Sequence, residues 1–216
     1  MRPFLLSLIS LSLIACSPPP DVGRIAQAVV APGGAIVPRT LRGVLSAGQP
    51  VADVSWADLS AYAAALGARW ALVGNDAEWC SKSTAAVSAF VARFATDNVL
   101  ARGGIFLSVS DAGPETPGGA FGTCRYDPAV TYPATDDDLA RWVSTFHIPF
   151  PALHDGFGDT PRWVLHTDYG QNHSPAVFDL QTGTFVVDTV DWMIAAGGPQ
   201  TIDWIITKFE TDFLTL

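Results

Sequence analysis

Two apolar runs of strand length, separated by a segment of helical period, constrain this chain more than any other feature of it. The first covers residues 70–73 (Trp-Ala-Leu-Val) and the second is GGIFLSVSD, from Gly103 onward. Short apolar runs bounded by turn residues read as strands buried within a sheet. Between them, in SKSTAAVSAFVARFATDNVLARG, Val87, Phe90, Val91 and Phe94 recur at helical spacing, and Gly103-Gly104 stops the helix. Buried strands alternating with helices mean an α/β sheet.

The flanking segments extend the pattern. In VSWADLSAYAAALG, Ser55 is a plausible N-cap and Gly67 a plausible stop, so a short helix precedes the first strand. That strand halts at the turn-prone Gly74-Asn75-Asp76, and a loop leads to Cys80. After the second strand comes a long loop, AGPETPGGAFGTCRYDPAVTYPAT, which holds Cys124. A loop of this length inside a compact domain is usually functional. Thr135 caps DDDLARWVSTFH, whose acidic first turn suits the helix dipole. IPFPALHD is strand-like, and SPAVFDL and TFVVDTV form a hairpin across Gln-Thr-Gly. Pro199 begins a closing helix, PQTIDWIITKFETDF. The hairpin gives the sheet a mixed edge, and there is no internal repeat.

The amino terminus, MRPFLLSLISLSLIAC, places Arg2 before an apolar run from Phe4 to Ile14. This is the layout of a secretory signal, and the run is shorter than the roughly 20 residues that span a bilayer. The SPPP that follows cannot continue a helix. Leu13-Ile14-Ala15-Cys16 resembles the lipobox of bacterial lipoproteins. That resemblance implies cleavage after Ala15 and acyl chains, such as palmitate, on Cys16. Each buried methylene contributes about 0.8 kcal/mol, so two or more chains anchor stably. The division expected is a signal peptide over 1–15, a lipidated cysteine with a Pro/Gly-rich tether over 16–37, and one domain over 38–216. The location expected is the cell envelope on the periplasmic or extracytoplasmic face. Ser17, where an Asp would suggest retention in the inner membrane, slightly favours the outer one.

A hydrophobic fraction of 49% and seven tryptophans exclude a disordered stalk. The net charge of −9 excludes the clustered basic face that nucleic acid requires. Trp70, Trp142, Trp163, Trp192 and Trp204 read mostly as core. Of three cysteines, lipid consumes Cys16 and leaves Cys80 and Cys124 as the one internal pair. Outside the cytoplasm such a pair can oxidise.

A buried strand, a loop with Ala77-x-Trp79-Cys80 and a long helix starting at that cysteine resemble the thioredoxin superfamily. The likeness is to its exported thioredoxin-like reductases and redoxin relatives. DDDLARWVSTFHIPFPALHDG resembles the superfamily's helix, Pro-Phe-Pro and strand. HSPAVFDLQTGTFV resembles its cis-proline strand and hairpin, which puts Pro175 at the cis-proline. The resemblance covers about residues 38 to 212. It implies a thioredoxin-like three-layer sandwich with a mixed central sheet, acting as a thiol–disulfide oxidoreductase on protein thiols or disulfides, without a cofactor. Cys80 is then the reactive thiol, Lys82 a neighbouring positive charge, and Trp79 part of a partner-docking surface. A helix N-terminus stabilises a thiolate and can lower a thiol pKa from about 8.5 to roughly 3.5–7.5.

The motif departs from the family's Cys-x-x-Cys: it reads Cys80-Ser81-Lys82-Ser83. Three readings stay open. Cys80 acts alone through mixed disulfides; or Cys124 resolves it; or Cys80–Cys124 is a structural staple beneath a non-catalytic binding module, worth about 2–4 kcal/mol. The second and third are weighed equally and above the first. A peroxidase is disfavoured because Pro-x-x-x-Thr-x-x-Cys is absent before Cys80. Sulfur and imidazole suit copper, but a Cys80–His173 site would need Cys124 or another ligand, so no metal is expected. His166 and Asp168 carry less support still. Asp76 and Glu78 read as solvated loop charges unless geometry makes them proton acceptors. Replacing the anchor tests the lipoprotein assignment: Cys16→Ala moves the protein from the membrane to the soluble fraction on fractionation, and persistence in the membrane refutes it.

Overall fold

The computed structural model describes residues 30–78, 80–114, 116, 118–123, 134–154, 175–198 and 200–215. In chain order these form β1 (Thr40–Val44), β2 (Ala52–Ser55), α1 (Trp56–Ala65), β3 (Trp70–Ala77), α2 (Ser81–Thr96) and β4 (Gly104–Ala112). There follow α3 (Asp136–Phe146), β5 (Ala152–His154), β6 (Ala176–Asp179), β7 (Thr184–Asp188), α4 (Thr189–Ala195) and α5 (Ile202–Phe213). Among the described residues the strands make one seven-stranded sheet, ordered β2-β1-β5-β4-β3-β6-β7. The central β3, β4 and β5 are parallel; β1–β2, β1–β5, β3–β6 and β6–β7 are antiparallel. The expected mixed sheet is present, with antiparallel strands at both edges.

Side-chain alternation divides the core into two faces. Leu72, Gly74 and Asp76 of β3 register with Phe106, Ser108 and Ser110 of β4 on one face. Phe106 there stacks on Phe90 of α2 at 4.8 Å and lies 6.2 Å from Phe209 of α5. Trp142 of α3 donates its indole N–H to Ser108 on the same face. Ala71 and Val73 point the other way, where Phe178, the partner of Ala71, stacks on Trp56 of α1. Helices thus cover both faces, giving three layers. Aromatic pairs of this kind add about 0.5–1.5 kcal/mol each beyond the area they bury.

Helix starts follow their caps. Ser55 and Thr135 each form a capping box, with Asp58 and Asp138 returning the bond to the cap backbone. Asp188 caps α4, which the sequence pattern reads as the end of a strand. Thr201 caps the closing helix at Ile202, later than the start assigned to Pro199, which lies outside the described residues. The helix after Cys80 ends at Thr96; a separate 3-10 turn over Leu100–Arg102 then reaches Gly103, whose φ of +87° suits glycine. β1 and β2 are absent from the sequence reading. So is the attachment of residues 33–36 beside β7: Gly33 donates to the Phe185 carbonyl, Ile36 to that of Gly183, and Ala35 bridges Thr184.

Thr135→Ala removes the hydroxyl that accepts from Asp138 N–H at 3.1 Å and frees the buried Asp138 carboxylate from its 2.7 Å bond. The expected loss is about 1 kcal/mol, read as a lower urea midpoint with an unchanged slope.

Candidate functional site

The site is built where β3 leaves the sheet. β3 runs to Ala77, well past the turn-prone Gly74-Asn75-Asp76, because those residues pair in parallel with Ser108–Ser110 of β4. Pairing overrides local turn preference here. The register slips after Asp76: Ala77 pairs with Ala112, leaving residue 111 as an extra residue on β4. Bulges of this type re-aim side chains at strand ends. Glu78 N–H then bonds the Ala112 carbonyl at 2.9 Å, and Cys80 N–H bonds the Ala77 carbonyl at 2.8 Å. The chain so turned enters α2 with Cys80 as its N-cap, and the cap makes no side-chain hydrogen bond.

Cys80 is a free thiol, only 8% exposed, packed with Ala77 and Ala112. Ser83, where a Cys-x-x-Cys motif has its second cysteine, is buried, and its hydroxyl accepts the Ala77 N–H at 3.0 Å. Lys82 is exposed on the first turn of α2. Pro175 is buried next to Ala176, which pairs with Val73, so it stands at the carboxyl edge of β3. Its carbonyl accepts the Thr189 hydroxyl at 2.6 Å. Trp79, Cys124, His166, Asp168, His173 and Ser174 lie outside the described residues, so the isomer of the Ser174–Pro175 bond and any copper ligand set do too. Among the described residues no group of three His, Cys, Asp or Glu side chains could hold a metal ion.

Asp76 and Glu78 correct the sequence reading: they are not solvated. Both are buried beneath α3. Burial raises the Asp76 carboxyl to about 7, against the opposing pull of the Ser108 hydroxyl, which donates to it at 2.6 Å. Burial raises Glu78 well above the ordinary carboxylate range, and the charges of Asp138 and Asp76 raise it further. The nearby Ser110 hydroxyl and Arg141 guanidinium pull the other way without reversing the shift. Among the described residues neither Glu78 carboxyl oxygen has a hydrogen-bond partner, nor has the Ser110 hydroxyl. Glu78 thus places a buried carboxyl, raised by burial, two residues from the cysteine.

At the far side of the same face, His154 of β5 is buried and faces Asp136 at 2.8 Å. Asp136 is held below the usual carboxylate range, chiefly by Arg42, which binds it through Nε and Nη2. An ionised carboxylate only accepts, so His154 donates from Nε2. Burial lowers the His154 pKa despite that partner.

The sequence reading named Ser83 only as the serine in place of a resolving cysteine and missed its bond to the Ala77 N–H; it also missed the buried state of Asp76 and Glu78, and Arg141 on α3. Arg141 reaches the described part of the long loop, donating from Nη2 to the Gly119 carbonyl at 2.6 Å and lying 4.9 Å over the Phe121 ring. Gly122 N–H in turn bonds the Glu78 carbonyl at 2.9 Å. The alternation of Asp76 and Glu78 on one strand face is the signal that would have found them.

No family model matches the chain, and no curated protein matches it in sequence. Solved structures do. The AhpC protein of Enterococcus faecalis is 12% identical, with a TM-score of 0.52, covering 85% of this chain and 92% of its own. The chain has a thioredoxin-like fold. The thioredoxin domain of a thiol–disulfide oxidoreductase from Bacteroides vulgatus is 12% identical, with a TM-score of 0.46 over 83% of this chain and 98% of its own. Mycobacterium tuberculosis AhpC is also 12% identical, with a TM-score of 0.45 over 84% and 96%.

The raised Asp76 carboxyl makes stability depend on pH with a definite sign. Between about pH 4 and 7 the folded state holds a proton that the unfolded state has lost, so stability falls as pH rises. The single-group slope approaches 1.4 kcal/mol per pH unit. Asp76→Asn keeps an acceptor for Ser108 and removes this titration. Urea unfolding between pH 4 and 8 is expected to show a flatter decline in the variant and a gain in stability above pH 7.

Proposed function

We propose that the chain is a membrane-tethered, extracytoplasmic thiol–disulfide oxidoreductase in which Cys80 attacks and Cys124 resolves. The observation that carries this is the seating of Cys80 at the start of the 16-residue α2, with the Gly122 N–H bonded to the Glu78 carbonyl beside it. That seating puts Cys80 at the end of β3, the sheet edge that the arm also meets. Gly122 is two residues from Cys124, and two residues of extended chain reach about 7 Å. A disulfide needs Cα atoms about 4.4–6.8 Å apart.

The reaction is an exchange of two electrons. The Cys80 thiolate attacks one sulfur of a partner's disulfide, forming a mixed disulfide and releasing the other sulfur as a thiolate. The Cys124 thiolate then attacks Cys80 Sγ, which breaks the mixed disulfide and releases the partner's second thiolate. The partner is reduced, Cys80–Cys124 is oxidised, and both released thiolates take protons. An external dithiol restores the pair. Protein disulfides are the substrate class, and the lipid on Cys16 confines the reaction to a membrane surface.

The rival is a binding module with Cys80–Cys124 as a staple, favoured by the burial of Cys80 and by serine at position 83. One experiment decides between them. Incubation with a disulfide-containing protein accumulates a Cys80 mixed disulfide in Cys124→Ser, little in the native chain, and none in Cys80→Ser. Under the staple reading no mixed disulfide forms, the native disulfide has a potential below about −300 mV, and removing either cysteine only destabilises, by about 2–4 kcal/mol.

A further inference from the structure

The described arm 118–123 has no regular secondary structure, yet it is anchored at both ends. Arg141 donates from Nη2 to the Gly119 carbonyl at 2.6 Å and covers the Phe121 ring, while Nη1 stays 3.3 Å from Asp138. Phe121 meets Trp142 edge-on at 5.1 Å and Phe146 at 6.1 Å. Its backbone neighbour Gly122 is bonded to the Glu78 carbonyl. A Cβ on Gly122, which has φ +71°, would come within 3.0 Å of Thr84 Cγ2. Glu78 lies two residues before Cys80 and Thr84 one helical turn after it. The arm therefore brackets the cysteine from both sides, in keeping with its 8% exposure.

We propose that Arg141 and Phe121 are positioning residues that latch this arm over the start of α2, so that Cys80 meets a macromolecular partner only when the arm is displaced. Small reagents pass the closed latch; bulky ones do not. The latch determines which substrates reach the thiol, since the arm occupies the ground a protein partner must take. It rests on Cys80 being the attacking thiol of the proposed oxidoreductase.

The test compares one chemistry at two sizes. The full chain carrying Cys16→Ala and Cys124→Ser has Cys80 as its sole thiol. Its alkylation rates are measured with N-ethylmaleimide and with maleimide on a long polyethylene glycol chain. The ratio of bulky to small rate is expected to rise about tenfold in Arg141→Ala, a change equivalent to 1.4 kcal/mol, as befits loss of a charged hydrogen bond. Phe121→Ala, which leaves α3 intact, gives a second reading and is expected to raise the ratio in the same direction. A ratio that rises at least about threefold in each folded variant supports the latch. Equal acceleration with both reagents, or a smaller change in the ratio, overturns it. Alkylation needs no disulfide exchange, so this result is separable from failure of Cys80 to form mixed disulfides.

Discussion

The close of β3 at Ala77 is the constraint on which the rest of the site depends. A central parallel strand that ends inside the sheet must dispose of its last backbone groups, because unpaired buried groups cost about 1–3 kcal/mol each. Here the Ala77 N–H goes to Ser83 and its carbonyl receives the Cys80 N–H. Those two bonds tie Ala77 to Cys80 and Ser83 in one corner, and the corner places Cys80 at the head of α2. The bulge opposite, where Ala77 pairs with Ala112, supplies the bond that turns Glu78. The site's geometry is thus a by-product of satisfying a strand end.

Burying two acids beside that corner has an electrostatic consequence. The face beneath α3 carries Asp76, Glu78, Ser108 and Ser110, and over them α3 presents Asp138 and Arg141. Burial raises both carboxyls, so the region favours retained protons over negative charge. Farther along the same face, Arg42 and His154 satisfy Asp136, which ionises readily. One face therefore holds two acids raised by burial near the cysteine and a paired ion cluster near the sheet's edge. What separates the two is the supply of donors: Arg42 gives Asp136 two hydrogen bonds, whereas Arg141 sends its own to Gly119 and Asp138.

The fold was legible wherever hydrophobic period and caps agreed. Ser55, Thr135 and the Gln-Thr-Gly turn behave as their local chemistry demands, and the strand–helix–strand unit from Trp70 to β4 is where periodicity puts it. Local chemistry misleads where tertiary pairing wins. Gly74-Asn75-Asp76 looks like a turn but continues a central strand, because β4 offers it a full ladder. Thr189 and Val190 look like strand residues but follow an Asp188 cap into a helix. β1 is short and glycine-bearing, with Arg42 facing an ion cluster, so it shows no apolar alternation. The cysteine's helix start was legible; the buried acids were not, since only a sheet partner distinguishes them from solvated loop charges.

Position 83 shows why these levels cannot be varied separately. In a Cys-x-x-Cys motif this residue would resolve Cys80, but here its hydroxyl accepts the Ala77 N–H. Sulfur is a weak acceptor, so a thiol at this position would leave the end of β3 poorly closed at the very turn that seats Cys80. Serine serves the strand end at this position and brings no second sulfur beside Cys80. Among the described residues the arm whose Gly122 bonds Glu78 also meets this corner, so the serine at position 83 and the anchored arm both satisfy backbone groups where the chain leaves β3.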